Sequence, residues 1–266
     1  MKKQLYRAFV ELSGNRVNSH LLRTFTTSRL SKGINRSFTK TYKLNTEEME
    51  KPLHEYKSLH ELFTRRLKEG TRPIDADEHA LVSPVDGVLA HVGPLNEQSA
   101  FRVKGQDYTL DEMLGSKVKS QLYCGGTFVI LYLSPSHYHR IHSPISGRVL
   151  ERWYLGKKSY PVNQQGLEYG KRPLSKNYRH ITEIDVNKKH MAIVKVGALN
   201  VNSIEITHHD EEVTKGAEIG YFTFGSTVIL LFEKGLVDLD PQLQCPADVK
   251  VGMRIGTIHP SKDEEQ

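Results

Sequence analysis

From Pro73 onward the sequence is built of short apolar runs closed by chain-breaking residues, with no helical pattern between them. The runs span residues 88–92, 127–133, 148–154, 191–196, 201–207 and 227–232, and Gly, Pro, Asn or Asp bounds each one. Parallel strands need a crossover of a dozen residues or more, so strands that follow one another this closely pair antiparallel. Residues 1–70 read as helical instead. Asn45 with Glu48 and Ser58 with Glu61 have capping-box spacing, and the second pair opens a helix burying Leu59, Leu62, Phe63 and Leu67 and stopping at Gly70. The expected fold class is α+β: a helical N-terminal arm, residues 1–70, on a mainly antiparallel β domain, residues 71–266. Residues 156–179 read as a long polar loop carrying Lys157, Lys158, Lys171, Arg172, Lys176 and Arg179.

Charge is distributed unevenly over the two parts. Residues 1–40 hold nine Lys or Arg against one acid, Glu11, a net of +8, so the rest of the chain carries −2 of the total +6. Such a segment suits nucleic acid, anionic lipid or plain solvation. Apolar spacing chooses among them: in residues 1–12, Leu5, Ala8, Phe9 and Leu12 fall on one helical face and Lys2, Lys3 and Arg7 lie off it, while Leu21, Leu22, Phe25 and Leu30 recur among Arg23, Arg29 and Lys32. A basic amphipathic arm of this kind suits a membrane interface, each basic residue adding about 1 kcal/mol near an anionic leaflet, and suits equally a helix packed on its own domain with its charges in water, since amphipathicity alone does not name the apolar partner. No run is long enough to span a bilayer, and no secretory cleavage pattern follows a hydrophobic core. Cys124 and Cys245 have no metal-ligand spacing and form no disulfide framework.

Three segments concentrate reactive side chains: Ser83 to Gly87 with Asp86, Tyr138 to Pro144 with His139 and His142, and Gly225-Ser226. Asp, His and Ser supply the parts of a nucleophilic triad, because a hydroxyl needs an imidazole to take its proton and the imidazole needs an orienting group. Ser226 has a buried-strand pattern after it rather than the tight turn of a hydrolytic serine, and the acyl group nearest to it is the Gly225 carbonyl. Attack on that carbonyl gives an internal ester. Arg140 and Pro144 favour a turn in which His139 and His142 converge. Three other readings stay open on the residues alone: a metal enzyme using His137, His139 and His142 with His208, His209 and Asp210; a non-catalytic lipid-binding module; and a serine hydrolase.

The order of Ser-Pro-Val-Asp-Gly at 83–87, Tyr-His-Arg-Ile-His-Ser-Pro at 138–144, Val-Gly-Ala-Leu-Asn-Val-Asn-Ser-Ile at 196–204 and Lys-Gly-Ala-Glu-Ile-Gly-Tyr-Phe-Thr-Phe-Gly-Ser-Thr at 215–227 resembles the phosphatidylserine decarboxylases, from about residue 59 to 235. Phe224 departs from the Leu often found before Gly-Ser-Thr and leaves the scissile pair intact. The resemblance implies that Asp86 orients His142, that His142 deprotonates Ser226, and that the ester eliminates to separate residues 1–225 from 226–266. Residue 226 then becomes a pyruvoyl group, the sole cofactor, which forms a Schiff base with the amine of phosphatidylserine and accepts the electrons released with carbon dioxide. His139 is expected to help in decarboxylation or to bind the head group, and Arg179 to bind the head-group phosphate. The expected partners are phosphatidylserine, an anionic membrane surface on the cytoplasmic face of the cell membrane, and the two fragments for one another. No metal and no nucleic acid are expected.

Overall fold

The computed structural model describes residues 16–96, 100–103, 105–157, 160, 162, 167, 172–198, 204–223 and 225–260. The amphipathic helix expected over residues 1–12 lies outside them. Two helices, α1 (Arg16–Thr27) and α2 (Asn35–Tyr42), open the described chain, followed by α3 (Leu59–Phe63). The Ser58 hydroxyl accepts from Glu61 N at 3.1 Å, as the capping box requires, while the Glu61 carboxylate reaches back to Lys57 N. Leu59, Leu62 and Phe63 are buried as expected, but the helix ends at Thr64, short of Gly70. The other box is a correction. The Asn45 side chain accepts from Glu47 N in a local turn, and the Glu48 carboxylate is drawn to Arg72, so no helix starts there.

Strands β1 (Ala80–Val82) and β2 (Gly87–Pro94) follow, then the hairpin β3 (Ala100–Val103) and β4 (Gln106–Thr109) and helices α4 (Leu110–Leu114) and α5 (Lys117–Leu122). Next come β5 (Thr127–Leu133), β6 (Arg140–His142) and β7 (Gly147–Leu155), then the short helix α6 (Pro173–Lys176), which interrupts the expected polar loop. The remainder is β8 (Arg179–Val186), β9 (Lys189–Gly197), β10 (Ile204–Ile206), β11 (Glu212–Val213), β12 (Glu218–Phe222), β13 (Ser226–Phe232), β14 (Val237–Leu239), β15 (Ala247–Val249) and β16 (Arg254–Ile258). The main sheet has the order β11-β7-β8-β9-β13-β5-β2-β15, flanked by three-stranded sheets β1-β16-β14 and β10-β12-β6. Pairing among the described residues is antiparallel throughout.

β13 is the strand that matters most for the site. All seven of its residues are buried, and it pairs over its full length with β5 on one side and β9 on the other. Apolar material covers both faces of the sheet here, which is why Ser-Thr-Val-Ile-Leu-Leu-Phe is a continuous rather than an alternating run. Val228, Leu230 and Phe232 point into one core with Leu131, Leu133, Ile141 and Phe222, and Ile229 and Leu231 point into the other with Ile130, Val194, Phe101 and Met113. The arm is not a separate body. Phe63 lies on the His139 ring at 3.9 Å between centroids, and Arg65 donates to the carbonyls of Ser136 and His137 at 3.0 and 3.1 Å.

Candidate active site

Ser226 is the first residue of β13. It stands opposite Leu133 of β5 and Gly197 of β9. Cross-strand partners share a face, and Leu133 belongs to the core that holds Ile141 and Phe222, so the Ser226 hydroxyl is turned toward that side. Its Oγ is buried and has no hydrogen-bond partner. A buried hydroxyl left unmatched costs stability, and such atoms recur where chemistry rather than packing decides the residue. The carbonyl of Gly225 accepts a hydrogen bond from Ala198 N at 3.0 Å. A Cβ built on Gly225 would meet nothing within 4 Å, so close packing does not dictate a glycine here.

His139 and His142 do not converge. Residues 140–142 form a strand instead of the expected turn, because β6 pairs with β12, and the bond from Phe222 N to the His139 carbonyl at 2.9 Å extends that ladder by one residue. Strand alternation then parts the two side chains. His139 shares the face of Ile141 and Phe222, toward the core that Ser226 also faces, while His142 shares the face of Tyr138 and Arg140. Register separates them too: His139 is opposite Phe222, three residues before Gly225, whereas His142 is opposite Glu218.

Both imidazoles are nonetheless prepared as bases. His139 Nδ1 lies 2.9 Å from the His137 carbonyl and His142 Nδ1 lies 2.8 Å from that of Gly216. A carbonyl only accepts, so in each ring Nδ1 carries the proton and Nε2 the lone pair, and each Nε2 is buried without a partner. Burial, reinforced by the Arg65 charge, holds His139 well below the usual histidine range. Burial also lowers His142, against the opposing pull of the Gly216 carbonyl, Glu218 and Asp86. Both are neutral near pH 7.

Asp86 makes its hydrogen bonds elsewhere. Its carboxylate takes Arg72 Nε at 2.8 and 3.0 Å, Arg72 Nη2 at 2.5 Å and Val251 N at 3.0 Å, and Arg72 also binds Glu48. The group orienting His142 is the Gly216 carbonyl, and Asp86 acts on that ring through its charge. Arg179 is a correction: it is 3% exposed, and three of its five N–H donors go to the carbonyls of Met113, Asn177 and Glu112, so it fastens the end of α4 to β8 from inside the fold, away from a lipid head group. His137 accepts from Ser134 N through Nδ1. Among the described residues no group of three His, Cys, Asp or Glu is placed to hold a metal ion.

Gly216, Ala198 and Asn177 were invisible to sequence reasoning, since two of them act through backbone atoms. Asn177 stood in the polar run read as a loop. It is fully buried, accepts from Tyr160 N at 2.9 Å, and donates through Nδ2 to the carbonyls of Tyr160 and Gly197 at 2.7 and 2.9 Å.

Comparison with known proteins decides the family. The phosphatidylserine decarboxylase family model matches residues 59–257. The chain belongs to that family. Phosphatidylserine decarboxylase proenzymes of Bacillus cereus (strain ATCC 10987 / NRS 248) and Bacillus thuringiensis (strain Al Hakam) are each 54% identical over 257 residues, covering 97% of this chain and 98% of the relative. That of Geobacillus sp. (strain WCH70) is 57% identical over 258 residues, covering 97% of this chain and all of the relative. The expectation drawn from the four motifs is met, and the match reaches well beyond residues 59–235, into the arm.

Proposed function

We propose that this chain is a proenzyme that cuts its own backbone between Gly225 and Ser226 and then decarboxylates phosphatidylserine to phosphatidylethanolamine at a membrane surface. Besides family membership, one observation carries the reading: a buried, unpartnered serine hydroxyl directly follows a glycine whose carbonyl already accepts a hydrogen bond from Ala198 N. Self-cleavage starts when an imidazole Nε2 takes the Ser226 proton and Oγ bonds to the Gly225 carbonyl carbon. The Gly225–Ser226 C–N bond then breaks and the nitrogen is protonated, leaving an ester. His139 is the better-supported base, since it faces the same core as Ser226 and lies opposite the strand leading to Gly225. His142, held by Gly216 and biased by Asp86, is the second candidate.

Loss of the residue 226 α-proton eliminates the Gly225 carboxylate from that ester and leaves a dehydroalanine, which tautomerises, takes up water and releases ammonia to give the pyruvoyl form. The surroundings suit that group: position 226 is fully buried at a strand start, with the neutral His139 imidazole facing the same core and no charged side chain paired across from it. A pyruvoyl group there supplies the carbonyl that captures the substrate amine and the sink for the electrons freed by decarboxylation. His139 Nε2 is available to hold and return a proton during that reaction, and the apolar walls of Leu133 and Phe222 exclude water from it.

The substrate is a lipid, and the arm supplies a surface for it. Leu21, Phe25, Leu30 and Ile34 are exposed on the first helices, beside Arg29, Lys32 and Arg36. Lys32, Arg36 and His54 help line a cavity of about 240 Å³ at the same surface. Among the described residues no helix is long and apolar enough to cross a membrane. We place the protein peripherally, on the cytoplasmic face of the cell membrane.

Intact mass of the purified protein tests the reading. Two chains of 225 and 266 − 225 = 41 residues are expected, the smaller blocked at its N-terminus, with phosphatidylethanolamine formed from phosphatidylserine vesicles. Ser226→Ala should remain a single inactive chain. An active wild-type protein of one uncut chain would rule the reading out.

A further inference from the structure

The scissile carbonyl is held by a peptide group that is itself held. Gly197 C=O and Ala198 N–H belong to one peptide plane. Its N–H donates to the Gly225 carbonyl at 3.0 Å, and its C=O accepts from Asn177 Nδ2 at 2.9 Å. Asn177 cannot readily turn away: it is fully buried, its Oδ1 takes Tyr160 N, and its Nδ2 also donates to the Tyr160 carbonyl. We propose that Asn177 is a positioning residue for self-cleavage, acting through the Gly197–Ala198 peptide to make Ala198 N–H the donor that receives the oxyanion formed on Gly225.

Attack by Ser226 Oγ turns the Gly225 carbonyl oxygen into an alkoxide. Charge grows on the atom that Ala198 N–H already faces, so the bond strengthens along the reaction coordinate instead of merely binding the ground state. A hydrogen bond to a peptide oxygen polarises that peptide and strengthens its N–H as a donor, so the Asn177 amide raises the donor strength of Ala198 without touching the reacting atoms. It also fixes the plane, which keeps the donor aimed while the carbonyl carbon becomes tetrahedral. The geometry differs from an ordinary end of the β9–β13 ladder in that a buried side chain with all its contacts to backbone is committed to the donor's own peptide, at the strand end where the cut occurs. When the C–N bond breaks, the same N–H stays beside the ester carbonyl and then beside the new carboxylate of Gly225.

This inference rests on the self-cleavage reading, and the experiment separates the two. Wild type, Asn177→Ala, Asn177→Asp, Ala198→Pro and Ala198→Gly precursors are made by in vitro translation, and conversion to the two fragments is followed over time, expressed per folded molecule by pulse proteolysis. Loss of one oxyanion donor typically costs about 100- to 1000-fold in rate. Ala198→Pro, which removes the N–H, should fall in that range, and Ala198→Gly, which keeps it, should cleave like wild type. Asn177→Ala should slow cleavage about 10-fold, and Asn177→Asp, which puts a carboxylate against the Gly197 carbonyl, more than that. If either Asn177 variant cleaves at the wild-type rate per folded molecule, Asn177 has only a structural role and the proposal fails, whether or not Ala198→Pro folds. If wild type itself is never cut, the self-cleavage reading fails and takes this inference with it.

Discussion

At the residue scale the site turns on two histidines that differ by a strand's alternation. His139 is fully buried under Phe63 and Arg65 on the Ser226 side, and His142 sits on the opposite face above Gly216. If His139 is the base, His139→Ala should leave the precursor uncut, with a loss of about 100-fold or more in cleavage rate, while His142→Ala should cleave within a few-fold of wild type. Time courses of fragment formation check this, and the reverse ranking would assign the base to His142. Asp86→Asn should act more weakly than removal of the base, since Asp86 biases His142 by charge and spends its hydrogen bonds on Arg72 and Val251. A further buried base, Lys195, lies on β9 with no exposed surface and, among the described residues, no carboxylate partner, donating to Thr182 Oγ1 at 2.7 Å beside His180 Nδ1. Burial, and then the Arg152 charge, lower its pKa to about 7. An unfolded lysine titrates near ~10.4, so between these values the unfolded chain binds one proton more than the folded chain, and stability rises with pH by up to ~1.4 kcal/mol per unit. The window ends near pH 10, where burial-raised Tyr108 and Tyr123 begin to act with the opposite sign. The urea midpoint should therefore climb from pH 7.5 to 9.5, and Lys195→Met should flatten the climb.

At the scale of elements, β13 explains how a chain can be cut inside its own core and stay whole. Ser226–Phe232 pairs residue for residue with Thr127–Leu133 and with Met191–Gly197, all from the larger fragment. Val228, Ile229, Leu230, Leu231 and Phe232 are fully buried, and at roughly 1.5–3 kcal/mol each their burial alone contributes on the order of 10 kcal/mol to holding the fragments together. The two fragments should coelute in native size exclusion and separate only in denaturant. Leu230→Ala should cost about 2–5 kcal/mol in a urea titration without altering the cleavage site. Separation of the wild-type fragments under native conditions would contradict this account. The strand runs were legible because burial on one face or two writes itself into the spacing of Val, Ile and Leu. Runs 127–133 and 227–232 match β5 and β13 almost residue for residue. The helical arm was less legible, because capping spacing says nothing about competition: the Glu48 carboxylate accepts from Arg72, a residue 24 positions away, and its helix never forms. Candidate residue types were legible, but the partners that hold them were not. Gly216 contributes a backbone carbonyl and Ala198 a backbone N–H that every residue but proline would bring, and the register that puts His139 opposite Phe222 depends on a long-range pairing.

At the scale of the whole molecule, the proposed membrane contact draws on both the apolar and the basic groups of the arm. Leu30 is 82% exposed and Leu21 61%, and Phe25 and Ile34 are exposed beside them, an arrangement that costs free energy in water and gains it in an acyl boundary. Arg29, Lys32, Arg36 and Lys40 make no ion pair among the described residues, so their charge is open to an anionic leaflet, whereas Arg23 is held by Glu205 at 3.5 Å and is not. The same arm reaches the catalytic region through Phe63 on His139 and Arg65 on the carbonyls of Ser136 and His137. The proposed docking at the arm would therefore bring lipid up to the element that covers the site. Two kinds of force predict two kinds of sensitivity. The mature protein should sediment with vesicles containing phosphatidylserine or phosphatidylglycerol and much less with neutral phosphatidylcholine. Raising salt from 0.05 to 0.5 M, where the Debye length falls from about 14 to about 4 Å, should weaken but not abolish binding, because the apolar part is not screened. Leu30→Glu with Phe25→Glu should reduce binding about tenfold or more at either salt, and Lys32→Ser with Arg36→Ser should reduce it at low salt only. Because none of these four residues lies in the cleavage machinery, all the variants should still be cut at Gly225–Ser226, and turnover of a short-chain soluble phosphatidylserine should persist while turnover of vesicle-bound substrate falls. Vesicle binding indifferent to all four substitutions would remove the arm from the membrane contact and leave its exposed leucines to another role.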